Sequence, residues 1–156
     1  GKNSNTGKKI LKIKKFINKN EKFYLTYGDG LSNIKIDALL SFHNKNKSIF
    51  TISAVKPPSR FGKLIISKNK IKKFYEKEKR NENWISGGFF VCEYKIFNFL
   101  SSKNPIFEKE TIPKMIKKSK IYAFKHNKFW HPMDTMQEKR VLNDLWKKGK
   151  APWKIW

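Results

Sequence analysis

Cysteine is almost missing from this chain: Cys92 is the only one in 156 residues. That excludes an intramolecular disulfide and any zinc site built on cysteines, and it fits a reducing, cytoplasmic setting. Arginine is nearly as scarce. Arg60, Arg80 and Arg140 are the only three among 36 basic residues, which leaves 33 lysines. Arg is the side chain that grips phosphates and bases with a planar fork. A net charge of +24 carried by lysine therefore argues only weakly for nucleic acid. The lysines are also scattered and mixed with Asn, as in Asn18-Lys19-Asn20 and His43-Asn44-Lys45-Asn46-Lys47. That pattern reads as a composition-wide bias more than as a dedicated patch. No apolar run approaches the ~20 residues of a membrane span, and no signal peptide is visible. Neither of the common Gly-rich phosphate loops, Walker A or Gly-x-Gly-x-x-Gly, occurs. Acidic residues number only 12, so each carboxylate in an apolar setting stands out.

What is present suffices for a core. Hydrophobic residues make up 38% and aromatics 15%, too many for a disordered chain. Ile10, Leu11, Ile13, Phe16 and Ile17 follow Thr6 at helical spacing, which predicts an amphipathic helix with Thr6 near its cap. Residues 23–27 read as a buried strand and 37–43 as a short helix. Residues 49–55 are rich in β-branched side chains and stop at Pro57-Pro58, which predicts a strand. Residues 62–66 and 70–75 predict a hairpin. Residues 84–92 predict a strand with Gly87-Gly88 inside it. Residues 93–101 and 107–118 read as helices, 121–124 as a strand, and 135–148 as a helix stopped by Gly149. The aromatic tail 151–156 is expected to pack on something. Alternating strands and helices indicate an α/β fold, and no linker or repeat divides the chain.

Two segments carry the chemistry. Tyr24-Leu25-Thr26-Tyr27-Gly28-Asp29-Gly30 ends an apolar run in a carboxylate between two glycines. Ligands of α/β proteins sit beyond the carboxyl ends of strands, and glycines there let a phosphate come close. Phe129-Trp130-His131-Pro132-Met133-Asp134-Thr135 places a second isolated carboxylate among aromatics. Together Asp29 and Asp134 suit one Mg²⁺, a hard cation that takes few protein carboxylates and completes its shell with substrate phosphates and water. Each feature also has a plain structural reading. Gly-Asp-Gly is a common turn, and Asp134 could cap the helix beginning near Thr135. Glu76-Lys77 could be a surface ion pair, and the glycine pair a bulge. His43, His126 and His131 have no metal-ligand spacing and read as structural.

Taken together, Phe23 to Gly30, Pro57-Pro58-Ser59-Arg60-Phe61-Gly62, Phe74-Tyr75-Glu76-Lys77, Ile85 to Val91, Phe129 to Thr135 and the Trp-rich run Leu145 to Trp156 resemble the sugar nucleotidyltransferases. Within them the proline pair and the tail resemble the cytidylyltransferases that act on glucose 1-phosphate. The resemblance implies a Rossmann-like mixed sheet flanked by helices. It implies transfer of a cytidylyl group from CTP to α-D-glucose 1-phosphate, giving CDP-glucose and pyrophosphate, in a cytoplasmic homo-oligomer that feeds lipopolysaccharide O-antigen synthesis. It implies that Asp29 and Asp134 hold Mg²⁺, that Lys77 meets the sugar phosphate, and that Glu76, Gly87 and Gly88 lie against the hexose. Lys9 falls to the nucleotide phosphates, and Gly28 is a further substrate-binding residue. Lys9 stands where the family has arginine, Glu78 where it has proline, and Ser86 where it has asparagine. The family's Gly-Gly-x-Gly-Thr-Arg loop would precede Gly1. Residues 1–156 are therefore expected to be the C-terminal part of a single nucleotidyltransferase domain, inactive alone. Two alternatives stand beside this: another hexose-1-phosphate nucleotidyltransferase, or a basic protein that binds polyanions.

Overall fold

The computed structural model describes residues 4–59, 61–76, 83–100 and 103–155. In chain order these form α1 (Thr6–Ile13), β1 (Lys22–Thr26), β2 (Gly30–Ser32), α2 (Ile36–Lys45), β3 (Phe50–Val55), β4 (Lys63–Ser67), β5 (Lys70–Tyr75), β6 (Ile85–Glu93), α3 (Ile112–Lys118), β7 (Ile121–His126), β8 (Trp130–Pro132) and α4 (Met136–Lys147). The class is α/β with a mixed sheet, as the alternation of elements predicts. The chain forms two compact units. One comprises residues 1–27, 35–53 and 88–124, the other 28–34, 54–87 and 125–156. Among the described residues no helix is long and apolar enough to cross a membrane.

The first unit is built on a four-stranded sheet in the order β1-β6-β3-β7. β1 runs antiparallel to β6, from Lys22 opposite Glu93 to Thr26 opposite Phe89. The expected buried strand at 23–27 is instead the end strand of this order. Only Phe23 is buried, while Lys22, Tyr24 and Thr26 are exposed. Its period-two alternation marks a strand with one wet face. The core gathers Phe23, Phe50, Phe90, Ile96, Phe97, Phe107 and Met115. Phe50 stacks on Phe90 with ring centroids 5.4 Å apart, and Phe107 meets Phe50 edge-on at 5.5 Å. Such pairs are worth about 0.5–1.5 kcal/mol beyond their burial. Cys92 is fully buried among them, and burial pushes its thiol pKa up, which makes it unreactive.

Two expected helices take tighter or looser forms. Residues 94–99 wind as a 3₁₀ helix. There residues i and i+3 eclipse, and Tyr94 meets Phe97 edge-on at 5.1 Å. Residues 107–111 form a π turn before α3. Pro113 stands in the first turn of α3 and has no N–H to give the preceding turn. The Ile112 N–H reaches back five residues to the Phe107 carbonyl.

The second unit holds two small ladders. β4 and β5 form the expected hairpin, with Lys68 and Asn69 in its turn at φ 44° and 62°. Positive φ at both turn residues matches the strand twist of a type I′ turn. β2 pairs antiparallel with β8, Gly30 opposite Pro132 and Ser32 opposite Trp130. α4 starts with a full capping box. The Thr135 hydroxyl accepts from the Glu138 N–H at 3.2 Å, and the Glu138 carboxylate accepts from the Thr135 N–H at 3.0 Å. The aromatic tail packs as expected: Trp153 lies 5.5 Å from Phe129 and 6.5 Å from Trp146 between ring centroids.

Candidate active site

The β2–β8 ladder is what brings the two singled-out aspartates into one place. Both strands are three residues long, too short to show periodicity, and sequence reasoning missed them. Their register ends at Gly30 opposite Pro132. One step further, the Met133 N–H donates to the Asp29 carbonyl at 2.7 Å. Asp29 and Asp134 thus stand on adjoining steps at the same end of one ladder, and both are exposed. At the other end Asn33 clamps the strands. Its side-chain oxygen accepts from the Phe129 N–H and from His126 Nε2, both at 3.0 Å, and the Ser32 hydroxyl donates to the Phe129 carbonyl at 2.8 Å.

The helix-cap reading of Asp134 is not needed, because Thr135 makes the cap. The Asp134 N–H donates to Glu138 at 2.9 Å, so its backbone is locked into the start of α4. Asp134 also lines a cavity of about 310 Å³ with Pro57, Pro58, Phe61, Trp130 and Pro132. That volume is the size of a small-ligand cleft, and its walls include the proline pair that stood out in the sequence.

Trp130 is a functional candidate that sequence reasoning passed over. Its indole Nε1–H donates to the Gly87 carbonyl at 2.8 Å. This contact ties the glycine strand to β8. A Cβ on Gly30 would lie 3.4 Å from that indole nitrogen and 3.7 Å from the Gly87 oxygen, ordinary van der Waals contact, so Gly30 packs directly beside this hydrogen bond. The available signal was a Trp in an apolar segment, since a buried indole N–H seeks an acceptor.

The other expected site residues are placed as follows. Gly87 is buried beside Trp130. Gly28 is exposed, and a Cβ there would meet nothing within 4 Å, so its surroundings are open to a ligand. Glu76 is exposed immediately after β5. Lys77 lies outside the described residues. Lys9 and Gly88 belong to the first unit. Lys9 is exposed on α1. Gly88 is buried at φ 76°, and its carbonyl accepts from the Tyr27 N–H at 2.9 Å. An L side chain there would be strained and would press on the Tyr27 ring at 3.3 Å. Tyr27 is itself fixed in that unit. Its ring meets Phe90 edge-on at 5.2 Å, and its hydroxyl donates to Glu108.

Among the described residues no group of three or more His, Cys, Asp or Glu side chains could hold a metal alone. Carboxylates are the donor type that Mg²⁺ takes, and it binds through one or two of them plus substrate phosphates. Two carboxylates do not fit zinc, whose sites take three or four protein ligands rich in nitrogen or sulfur.

Residues 1–141 match the family model described as "Nucleotidyl transferase", and the fold is of that type. The chain belongs to the nucleotidyl transferase family. It is 36% identical over 156 residues to a glucose-1-phosphate cytidylyltransferase of Salmonella typhi, covering 100% of this chain and 61% of that protein. It is 29% identical over 130 residues to a mannose-1-phosphate guanyltransferase of Saccharomyces cerevisiae, covering 80% of this chain and 36% of that one. The structure of HddC from Yersinia pseudotuberculosis matches with a TM-score of 0.67 at 20% identity, over 91% of this chain and 62% of that one. The chain thus spans about three fifths of the length of the cytidylyltransferase it matches.

Proposed function

We propose that the full-length protein transfers a cytidylyl group from CTP to α-D-glucose 1-phosphate, forming CDP-glucose and releasing pyrophosphate. The observation that carries this reading is the β2–β8 ladder, whose backbone register runs toward Asp29 and Asp134 at one end, with Asp134 lining a cavity of small-ligand size. The identity to the Salmonella cytidylyltransferase, spread over the whole chain, supports the choice of nucleotide and sugar.

In this reading Asp29 and Asp134 hold Mg²⁺, which when bound neutralises the charge of the nucleotide phosphates. Lys77 holds the incoming sugar phosphate, and Lys9 adds positive charge for the nucleotide. Glu76 accepts from sugar hydroxyls. Gly28 leaves room for a phosphate, and Gly87 and Gly88 leave room for the hexose. A sugar-phosphate oxygen forms a bond to the α-phosphorus of CTP, and the bond from that phosphorus to the bridging oxygen of pyrophosphate breaks. The attacking oxygen is already ionised, so no general base is required. Positioning and charge neutralisation carry such a transfer. A homo-oligomer belongs to the same reading, favoured by the exposed Phe61, Ile66, Ile71 and Phe74 on and beside the β4–β5 hairpin.

The test is product formation by the full-length protein with each nucleoside triphosphate and hexose 1-phosphate in turn, with and without Mg²⁺. CDP-glucose and pyrophosphate in equal amounts, dependent on Mg²⁺, support the proposal. A clear preference for another nucleotide or sugar replaces it with a different member of the same class. No nucleotide-sugar product, together with salt-dependent binding to DNA, favours the polyanion alternative.

A further inference from the structure

A second cavity, of about 360 Å³, lies in the first unit and shares no residue with the candidate active site. Lys22, His43, Asn44, Lys47, Glu93 and Lys95 line it. The strand register creates it, with Lys22 at the start of β1 opposite Glu93 at the end of β6. The turn after α2 closes it. Lys47 sits there at φ 47°, its N–H donates to the Asn44 carbonyl at 3.0 Å, and the Ser48 N–H donates to the His43 carbonyl at 3.2 Å. The Asn46 N–H and side chain take the Phe42 carbonyl at 3.2 and 2.8 Å. The helix end therefore presents carbonyls that are already occupied, which reduces its repulsion of an anion.

His43 is the informative group. It is fully buried, and its Nδ1 lies 2.8 Å from the Thr51 hydroxyl. Its Nε2 is buried without a hydrogen-bond partner. The Glu93 carboxylate, at 3.9 Å, is too far for a hydrogen bond but near enough to favour a proton on Nε2. Nδ1 then accepts from Thr51, and Nε2–H is a donor on the side of the cavity wall formed by Glu93. A buried donor left unmade is costly and calls for an explanation. Around it stand three ammonium groups and one carboxylate. Lys22 lies 4.0 Å from Glu93, and Lys47 and Lys95 add two further positive charges.

We propose that this cavity binds a phosphate group, either free or carried on a small molecule. The oxyanion takes the charge of Lys47 and Lys95 and accepts from His43 Nε2–H and the Asn44 amide. Glu93 gives the site its selectivity. A hydrogen phosphate, or a phosphate monoester as its singly protonated monoanion, retains a proton to donate to that carboxylate, whereas sulfate has none to give and meets only repulsion.

The experiment follows the His43 ring resonances of the chain by NMR at constant ionic strength. Sodium phosphate, sodium sulfate and glycerol 2-phosphate are titrated separately, without divalent metal. The expected result is a saturable His43 shift with phosphate and binding of sulfate at least about tenfold weaker. Lys47→Gln/Lys95→Gln should weaken phosphate at least about tenfold, since two charge-assisted contacts are lost. Lys117→Gln/Lys118→Gln, which removes the same charge from the exposed end of α3, should change it less than about twofold. Binding of glycerol 2-phosphate as tight as phosphate or tighter identifies a phosphate carried on a small molecule, and weaker binding identifies free phosphate. An unmoved His43, equal binding of sulfate, or equal loss in both lysine pairs would overturn the site and leave only diffuse lysine charge.

Discussion

In a phosphate-handling site a carboxylate can hold Mg²⁺ alone or together with a second one. Backbone pairing brings Asp29 and Asp134 to one ladder end, with the Met133 N–H donating to the Asp29 carbonyl at 2.7 Å. On the proposed function, replacing either exposed carboxylate should lower activity far more than stability. Asp29→Asn and Asp134→Asn in the full-length protein are each expected to lower kcat/KM by about 100-fold or more, as loss of a principal electrostatic stabiliser does. Their thermal midpoints should stay within a degree or two, the small effect of an exposed substitution. Steady-state kinetics across Mg²⁺ concentrations, with a melting curve for each variant, checks both halves. Lys77→Ala should act on one substrate. A charge-assisted contact to a phosphate is worth roughly 1.5–3 kcal/mol, or about 10- to 150-fold in kcat/KM for glucose 1-phosphate, with CTP binding little changed. Unaltered kinetics for glucose 1-phosphate would return Lys77 to the general population of surface lysines.

At the scale of elements, the candidate site hangs on short pieces with local devices at their ends. Trp130 pins Gly87, Asn33 clamps β2 to β8, and the capping box seats α4 directly behind Asp134. Thr135→Ala removes the cap acceptor and should cost about 1 kcal/mol, read as a lower midpoint in urea unfolding with an unchanged slope. Thr135→Ser keeps the oxygen and should recover most of the loss. Long elements with a strong period were legible: α1, α2, β3, the β4–β5 hairpin and α4 fall close to where spacing and turn residues put them. Residues 94–99 and 107–111 were read as helix but not as 3₁₀ and π. The choice among helix types rests on how Tyr94, Phe97 and Pro113 pack and bond, which a hydrophobic period does not encode.

Across the described residues, most titratable groups sit on an exposed, lysine-rich surface, and His43, like Cys92, is buried away from it. Desolvation by burial holds its pKa below the ordinary 6.5, Glu93 pulls it up, and Lys22 pushes it down. Lys47 and Lys95 face the same cavity. Above 6.5 the ring is neutral in both folded and unfolded chains and adds no pH dependence. Below it the unfolded chain takes up a proton that the folded one resists, so stability falls as pH falls. The thermal midpoint should drop as pH is lowered from about 7 toward about 5.5, and His43→Gln should flatten that part of the curve. Equal slopes for both proteins would place the titration elsewhere. On the proposed function, the 156-residue chain, which spans about three fifths of the cytidylyltransferase it matches, should alone form no CDP-glucose at rates typical of enzymes, about 1 s⁻¹ or more, in an assay where the full-length protein does.

What the sequence determined by itself was the α/β class, the order of the longer elements and the identity of the two carboxylates worth watching. These depend on local propensity and on scarcity: twelve acids in 156 residues make an aspartate between glycines conspicuous. Only the tertiary structure decided that Asp29 and Asp134 share a ladder end, that Trp130 holds Gly87, and that His43 keeps an unmatched ring nitrogen beside a lysine-lined cavity. Each of those facts joins residues tens of positions apart through strand pairs of three to five residues. Register between such strands is set by packing and by which backbone groups remain unpaired, and neither quantity exists until the chain has folded.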